Sequence, residues 1–599
     1  MKQRQEIEEK YKWDLSGYFK SDEDWDNQFE QIKSEYESLI VYENKLTNND
    51  LLFECLEKNR KLGEIVERLY VYINLRVKED ATVSIYKSRA NKLDKFLSDI
   101  NPKLSFISSE MADFSDEKIE ELLNDKRFDV YDLSLKDIKR QRPHKLNKNE
   151  EKLVSTISEC VGGEQELFDM ISDVDMKFDD IKDKDGNLHP LNHSTYITYL
   201  ESDDAVLREN AYNGLNGGFG GLNYALSINY LNNVKSDCVF AKIRKFNSAF
   251  ESSLFYEEVP KEVYTTLLQE VSNNLPLFYK YFALKKEVLN LDKIKNCDMN
   301  VAMKLENKKK YTFDEAFEIV KQALSVLGKD YIDILQKSKD ERWIDVMPNK
   351  NKDNGAFSWG AYGANPVVLL NFDGTVNSVF TLAHELGHMM HSYYSDKNNP
   401  STKAQYELFV AEVASITNEI LLAKHLLKKS KTNEEKLFYI DHILNLFYAT
   451  IHRQTMFSEF EYKIHKAYED GEDVSTEAMN NVYSKLCQKY FGEEVEICKN
   501  AKYEWSRIPH FYRSFYVYKY ATGLISAFAI SNYILSEKET AVNSYKKFLS
   551  SGCNKPPVDL LKITNVDLTN KNTFNSAFNY VDSLLKEFEC ILQNSVKTM

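Results

Sequence analysis

The chain has 599 residues, 43% of them apolar and 29% charged, which excludes a disordered or fibrous protein and is more than one ordinary core accommodates. Its formal net charge of −15 argues against nucleic acid as a partner, because phosphate binding needs clustered Lys and Arg. Only 20 Gly and 11 Pro in so long a chain predict a mainly α protein with long helices and few hairpins.

The N-terminus, MKQRQEIEEKYKWDLSGYF, lacks the apolar core of a signal peptide. Asp22-Glu23-Asp24-Trp25 and Thr47-Asn48-Asn49-Asp50 read as helix starts, with acids near the positive end of the helix dipole. Helical spacing continues to about residue 175. Asp185-Gly186 between two short β-like runs then signals a hairpin. The expected division is an N-terminal helical lobe over 1–200 and a catalytic domain over 201–599. Helical periodicity returns over 203–345, where the run Lys308–Lys310 reads as a solvated face. Residues 355–372, GAFSWGAYGANPVVLLNF, combine three glycines with Val367-Val368 and predict a small sheet inside a helical protein.

The eight cysteines form no C-x-x-C pair, so a zinc knuckle or redox motif is not expected. Free thiols in a reducing compartment are the reading, and no stretch approaches a membrane span. The longest apolar run, 523–535, is short and interrupted by Ser526, Ser531 and Asn532. The expected place is the cytoplasm, with no membrane partner. Oligomeric state is not legible.

Chemistry enters at TVNSVFTLAHELGHMMHSYYS, which holds H-E-x-x-H. At ~100° per residue, His384 and His388 share one helix face a turn apart and can share one zinc ion. Glu385 lies ~100° round from His384, placed to act on a metal-activated water as general base. Two candidates stand for a third ligand. His391 is on the same face, but at 1.5 Å per residue it lies ~10 Å along the axis from His384, so it is the weaker one. Glu412 sits in the apolar run FVAEVA of a second helix, and a buried carboxylate needs a partner such as a metal. Glu419, seven residues on, shares its face and is expected to accept a hydrogen bond from a ligand imidazole. The metzincin pattern fails, because it requires Gly at 391 and His at 394 where this chain has His391 and Tyr394.

Downstream, IPHFYRSFYVYKYATG crowds Tyr512, Tyr516, Tyr518 and Tyr520 around His510. Such donors can stabilise an oxyanion, although tyrosines at mixed spacing also build amphipathic cores.

HELGHMMHSYYS, FVAEVASITNE and IPHFYRSFYVYKYATG together resemble the oligoendopeptidase F family, which is related to thimet oligopeptidase and neurolysin. KWDLSGYF and the glycine-containing segment are similar too, so the likeness runs from about residue 12 to at least 523. The resemblance implies a two-lobed helical metallopeptidase with a deep substrate channel, cleaving oligopeptides with one Zn2+ per chain. It implies His384, His388 and Glu412 as zinc ligands, Glu385 as base, and His510 with one of Tyr512, Tyr518 or Tyr520 as groups that contact substrate. It also implies that the sheet edge pairs with extended substrate. Two rivals stand beside an endopeptidase. One is a dipeptide-releasing carboxypeptidase, for which Arg507 and Arg513 are available cations. The other is a non-catalytic peptide-binding scaffold.

Overall fold

The computed structural model describes residues 1–158, 160–301, 303 and 309–597, and the side chains of these up to 594. Lys308 of the Lys308–Lys310 run lies outside the described residues, whereas Lys309 and Lys310 are exposed. The protein is mainly helical, and its strands are two or three residues long. No helix among the described residues is long and apolar enough to cross a membrane. The chain divides into two compact units, each assembled from three separate stretches of sequence.

The first unit comprises Met1–Pro143, Lys308–Leu422 and Ile530–Asn565. Both expected helix starts are present. Ser21 Oγ accepts from the Asp24 N–H and opens the helix Asp22–Glu37, which buries Trp25, Phe29, Ile32 and Tyr36 at helical spacing. Asn48 caps Asn49–Glu79 by accepting from the N–H groups of Asp50 and Leu51.

The glycine-containing segment forms the expected small sheet. Strand β1 (Ile344–Asp345) runs parallel to β3 (Val367–Leu369), and β2 (Phe357–Trp359) pairs antiparallel with β3 on its other side. The central strand β3 is wholly buried, while β2 is a half-buried edge. The register sets Ile344 opposite Val368, and Val368 opposite Ser358. Asp345 is buried in this sheet and would be costly alone. Lys352 Nζ lies 2.6 Å from its carboxylate, and Arg4 Nη2 lies 2.5 Å from it. These two cations hold the Asp345 carboxyl below its usual pKa against the opposing effect of burial. Lys352 also donates to the carbonyls of Met347 and Leu370, so the loop after β1 is tied to the end of β3.

Helix α1 (Val376–Asn398) carries the H-E-x-x-H run and follows the sheet directly, and helix α2 (Leu408–Lys429) carries Glu412 and Glu419. Thr375 caps α1 by accepting from the Ser378 N–H. The two helices touch backbone to backbone at Gly387, where a Cβ would stand 2.5 Å from Ser415 Cα and 2.8 Å from the Ala414 carbonyl oxygen. Asn418 Nδ2 donates to the Ala383 carbonyl at 3.2 Å and reinforces the crossing.

The second unit comprises His144–Asn307, Ala423–Ala529 and Val566–Met599. It holds the expected hairpin, Ile181–Lys182 antiparallel to Leu188–His189, with Gly186 at φ 85° in the turn. Asp183 organises that turn by accepting from the N–H groups of Asp185 and Asn187.

Because the close backbone approach at Gly387 leaves no room for a Cβ, Gly387→Ala is expected to destabilise the protein by ~1–3 kcal/mol. Thermal melting of the variant checks this. An unchanged melting temperature would show that the crossing does not depend on the glycine.

Candidate active site

Three side chains of the first unit converge. His384 Nε2 lies 3.2 Å from His388 Nε2, and each lies 3.4 Å from Glu412 Oε2. Among the described residues this is the group able to hold a metal ion. A tetrahedral ion with ~2.0–2.1 Å bonds keeps its ligand atoms ~3.3 Å apart, so the three donors fit a single zinc. They are two imidazoles and a carboxylate, a set borderline metals accept. Gly387 lets α2 approach closely enough for Glu412 to join the two histidines, and Ser415 Oγ donates to Glu412 Oε2 at 3.0 Å and helps orient it.

Glu419 Oε1 lies 2.6 Å from His384 Nδ1. That bond puts a proton on Nδ1 and turns Nε2 toward His388 and Glu412. Burial alone lowers the pKa of His384. The hydrogen bonds of Glu412 and Glu419 outweigh it and raise the pKa to about 10. Burial raises the pKa of Glu412, but the two imidazoles prevail and hold its carboxyl far below the usual range.

Glu385 points elsewhere. It is buried, and one of its oxygens, Oε2, has no hydrogen-bond partner. Burial pushes its pKa up, the nearby imidazoles opposing. Its side chain lines a cavity of about 420 Å³ whose other walls include Gly355, Ala356, Leu370, Asn371 and Phe372. The same cavity thus brings Glu385 together with residues that flank the edge strand β2.

His391 is not one of the converging groups. Its ring stacks on Tyr406 at 3.6 Å with an interplanar angle of 4° and lies 5.3 Å from the ring of Phe548. Burial lowers its pKa to about 3. The physical reason is the one its position suggested: a residue two turns along the axis meets Tyr406, in the loop before α2, and Phe548 instead of the converging side chains.

The tyrosine-rich stretch belongs to the second unit, and its members separate by burial. Tyr518 is fully buried, with its hydroxyl 3.4 Å from Glu257, and is part of the core. Tyr512 packs on Phe168, and its hydroxyl accepts from Asn229. Tyr520 Oη lies 3.2 Å from Nε2 of the exposed His510, and Tyr516 is parallel to the His510 ring at 5.9 Å. The loop between them is held firmly. Glu461 Oε1 accepts from the Phe515 N–H at 2.7 Å, and Asp237 Oδ2 accepts from Ser514 Oγ at 2.5 Å. Phe515 has φ 56°, a left-handed conformation unfavourable for an aromatic residue, which those bonds sustain.

Sequence reasoning missed Gly387, Ser415, Asn418, Asp237 and Glu461. Gly387 carries a signal, a glycine within an apolar helix; the others carry none that spacing reveals.

A metal ion held here would compete with the proton that Glu412 and Glu419 favour on His384. Uptake of a divalent metal ion is thus expected to release protons, and affinity to fall as pH falls. Calorimetry in buffers of different ionisation enthalpy measures this. No proton release, with affinity independent of pH, is the contrary result.

Residues 198–580 match Peptidase family M3, and residues 110–178 match Oligopeptidase F. The chain is 36% identical over 591 residues to Oligopeptidase PepF of Bacillus subtilis (strain 168), covering 98% of this chain and 88% of that protein. It is 35% identical to an Oligoendopeptidase F homolog of Borreliella burgdorferi, covering 98% and 100% of the two chains. Among solved structures, oligoendopeptidase-F from Enterococcus faecium superposes with a TM-score of 0.73 at 27% identity, covering 95% of this chain and all of that one. A likeness that spans both units at these identities is shared descent: the chain belongs to peptidase family M3, among the oligopeptidase F proteins.

Proposed function

We propose that the protein is a zinc-dependent endopeptidase that hydrolyses internal bonds of oligopeptides. One observation carries the reading: donor atoms of His384, His388 and Glu412 lie 3.2–3.4 Å apart, the spacing of ligands around one zinc ion. The ion supplies a Lewis acid for the scissile carbonyl and lowers the pKa of a water.

The chain's own groups do the rest. Glu385 is the general base, taking a proton from the attacking water and returning it to the leaving amine. Its raised pKa suits both directions, since a carboxylate that is too weak a base cannot accept the proton. Glu419 positions His384 by accepting the Nδ1 proton. The half-buried edge strand β2 offers its free backbone groups to an extended peptide, a mode of recognition indifferent to most side chains. Of the tyrosines, we assign Tyr520, with His510, to substrate. Its hydroxyl meets that exposed imidazole, whereas Tyr518 is buried and Tyr512 is engaged by Asn229.

The restriction to short peptides is carried over from the names of the relatives. A cytoplasmic location agrees with eight free cysteines, four of them buried.

Glu385→Gln is expected to retain one zinc per chain and to lower kcat by ~10²–10⁴. The wild type should lose activity to a chelator and regain it with zinc. Metal analysis and peptide cleavage followed by mass spectrometry measure both. A Glu385→Gln variant with a near-normal rate would sink the mechanism.

A further inference from the structure

The second unit contains a cavity of about 410 Å³, within the ~300–1,000 Å³ range of ligand pockets. Its wall carries two arginines and one carboxylate. Glu504 Oε2 pairs with Arg453 Nη2 at 2.7 Å, and Glu504 Oε1 pairs with Arg507 Nη2 at 2.9 Å. The Tyr483 hydroxyl adds a bond to Glu504 at 2.8 Å, so the acid is fully engaged. Two guanidinium charges against one carboxylate leave one positive charge over. Among the described residues Glu504 is the only acid lining the cavity, and His510, which also lines it, has a pKa lowered by burial and by Arg513.

Three buried donors on its wall are also unspent. Arg507 Nε and the hydroxyls of Tyr196 and Tyr212, residues 3% exposed, have no hydrogen-bond partner. Arg507 lies over the ring of Tyr196 at 5.5 Å, which fixes its plane and leaves the Nε edge free. A surplus, half-buried cation and three buried donors without partners are costly unless something answers them.

We propose that this cavity binds a carboxylate, from the C terminus or an acidic side chain of a peptide. A planar monoanion matches a single surplus charge and an arginine edge, and the bonds it would make are charge-assisted. That the carboxylate belongs to a peptide rests on the function proposed above; that the cavity takes a carboxylate does not.

Isothermal titration of the full-length protein tests this with three probes. They are N-acetyl-alanyl-alanine, its C-terminal amide, and N-acetyl-glutamyl-alanine amide. At least one of the two acids is expected to bind about tenfold or more tightly than the uncharged amide, and the tighter acid identifies the source. Arg507→Gln should weaken that binding by about tenfold and Tyr212→Phe by roughly threefold, with melting temperatures near wild type. Tyr212→Phe removes a single oxygen and serves should Arg507→Gln not fold. The uncharged amide binding as tightly as the acids overturns the proposal, as does no binding by any probe or wild-type affinity in every folded variant. Cleavage is assayed separately, so failure of the peptidase reading leaves the binding result intact.

Discussion

At Gly387 the backbones of two helices touch, and the candidate metal centre follows from that contact. Histidines four apart on α1 face one way whatever surrounds them, by helical geometry alone. Their third partner must come from outside the helix, and it comes within 3.4 Å only because α2 lies close enough for a Cβ at 387 to strike Ser415. Asn418, donating to the Ala383 carbonyl, keeps the helices from sliding past one another. A glycine that weakens a helix by ~1 kcal/mol is retained where it permits an approach no other residue allows.

The carboxylates around this contact divide by environment. Glu412 and Glu419 face the imidazoles and act on them, one beside Nε2 and the other at Nδ1 of His384. Glu385 is next to His384 in sequence but lines the cavity beside β2, with one oxygen unpartnered and its pKa raised. Glu385 and Glu412 thus differ in basicity, burial prevailing at the first and the two imidazoles at the second. The sheet belongs to the same arrangement. Asp345, Lys352 and Arg4 anchor it, and β3 leads directly into α1, so the edge strand and Glu385 are held in one piece of structure.

Local features were legible in the chain. The capped helix starts at Ser21 and Asn48, the hairpin at Asp185-Gly186 and the small sheet before α1 all follow from short-range propensity and periodicity. His384 and His388 are visible for the same reason, and Glu412 stands out as an acid in an apolar run. What could not be read depends on packing between distant segments. Tyr512, Tyr518 and Tyr520 look alike in sequence, and only their burial separates a core residue from one beside His510. Arg4 and Asp345 are 341 residues apart. Arg453, Glu504 and Arg507 line one cavity without any shared motif, although Arg507 was noticeable as a cation near the tyrosine cluster.

We propose that His384, His388 and Glu412 together hold one zinc ion. X-ray absorption at the zinc edge, on full-length protein loaded with one ion per chain, tests it most directly. Two imidazole nitrogens and a carboxylate oxygen are expected at ~2.0–2.1 Å, with the oxygen contribution altered in Glu412→Ala. A sulfur shell at ~2.3 Å, or a spectrum unchanged by that substitution, would contradict it.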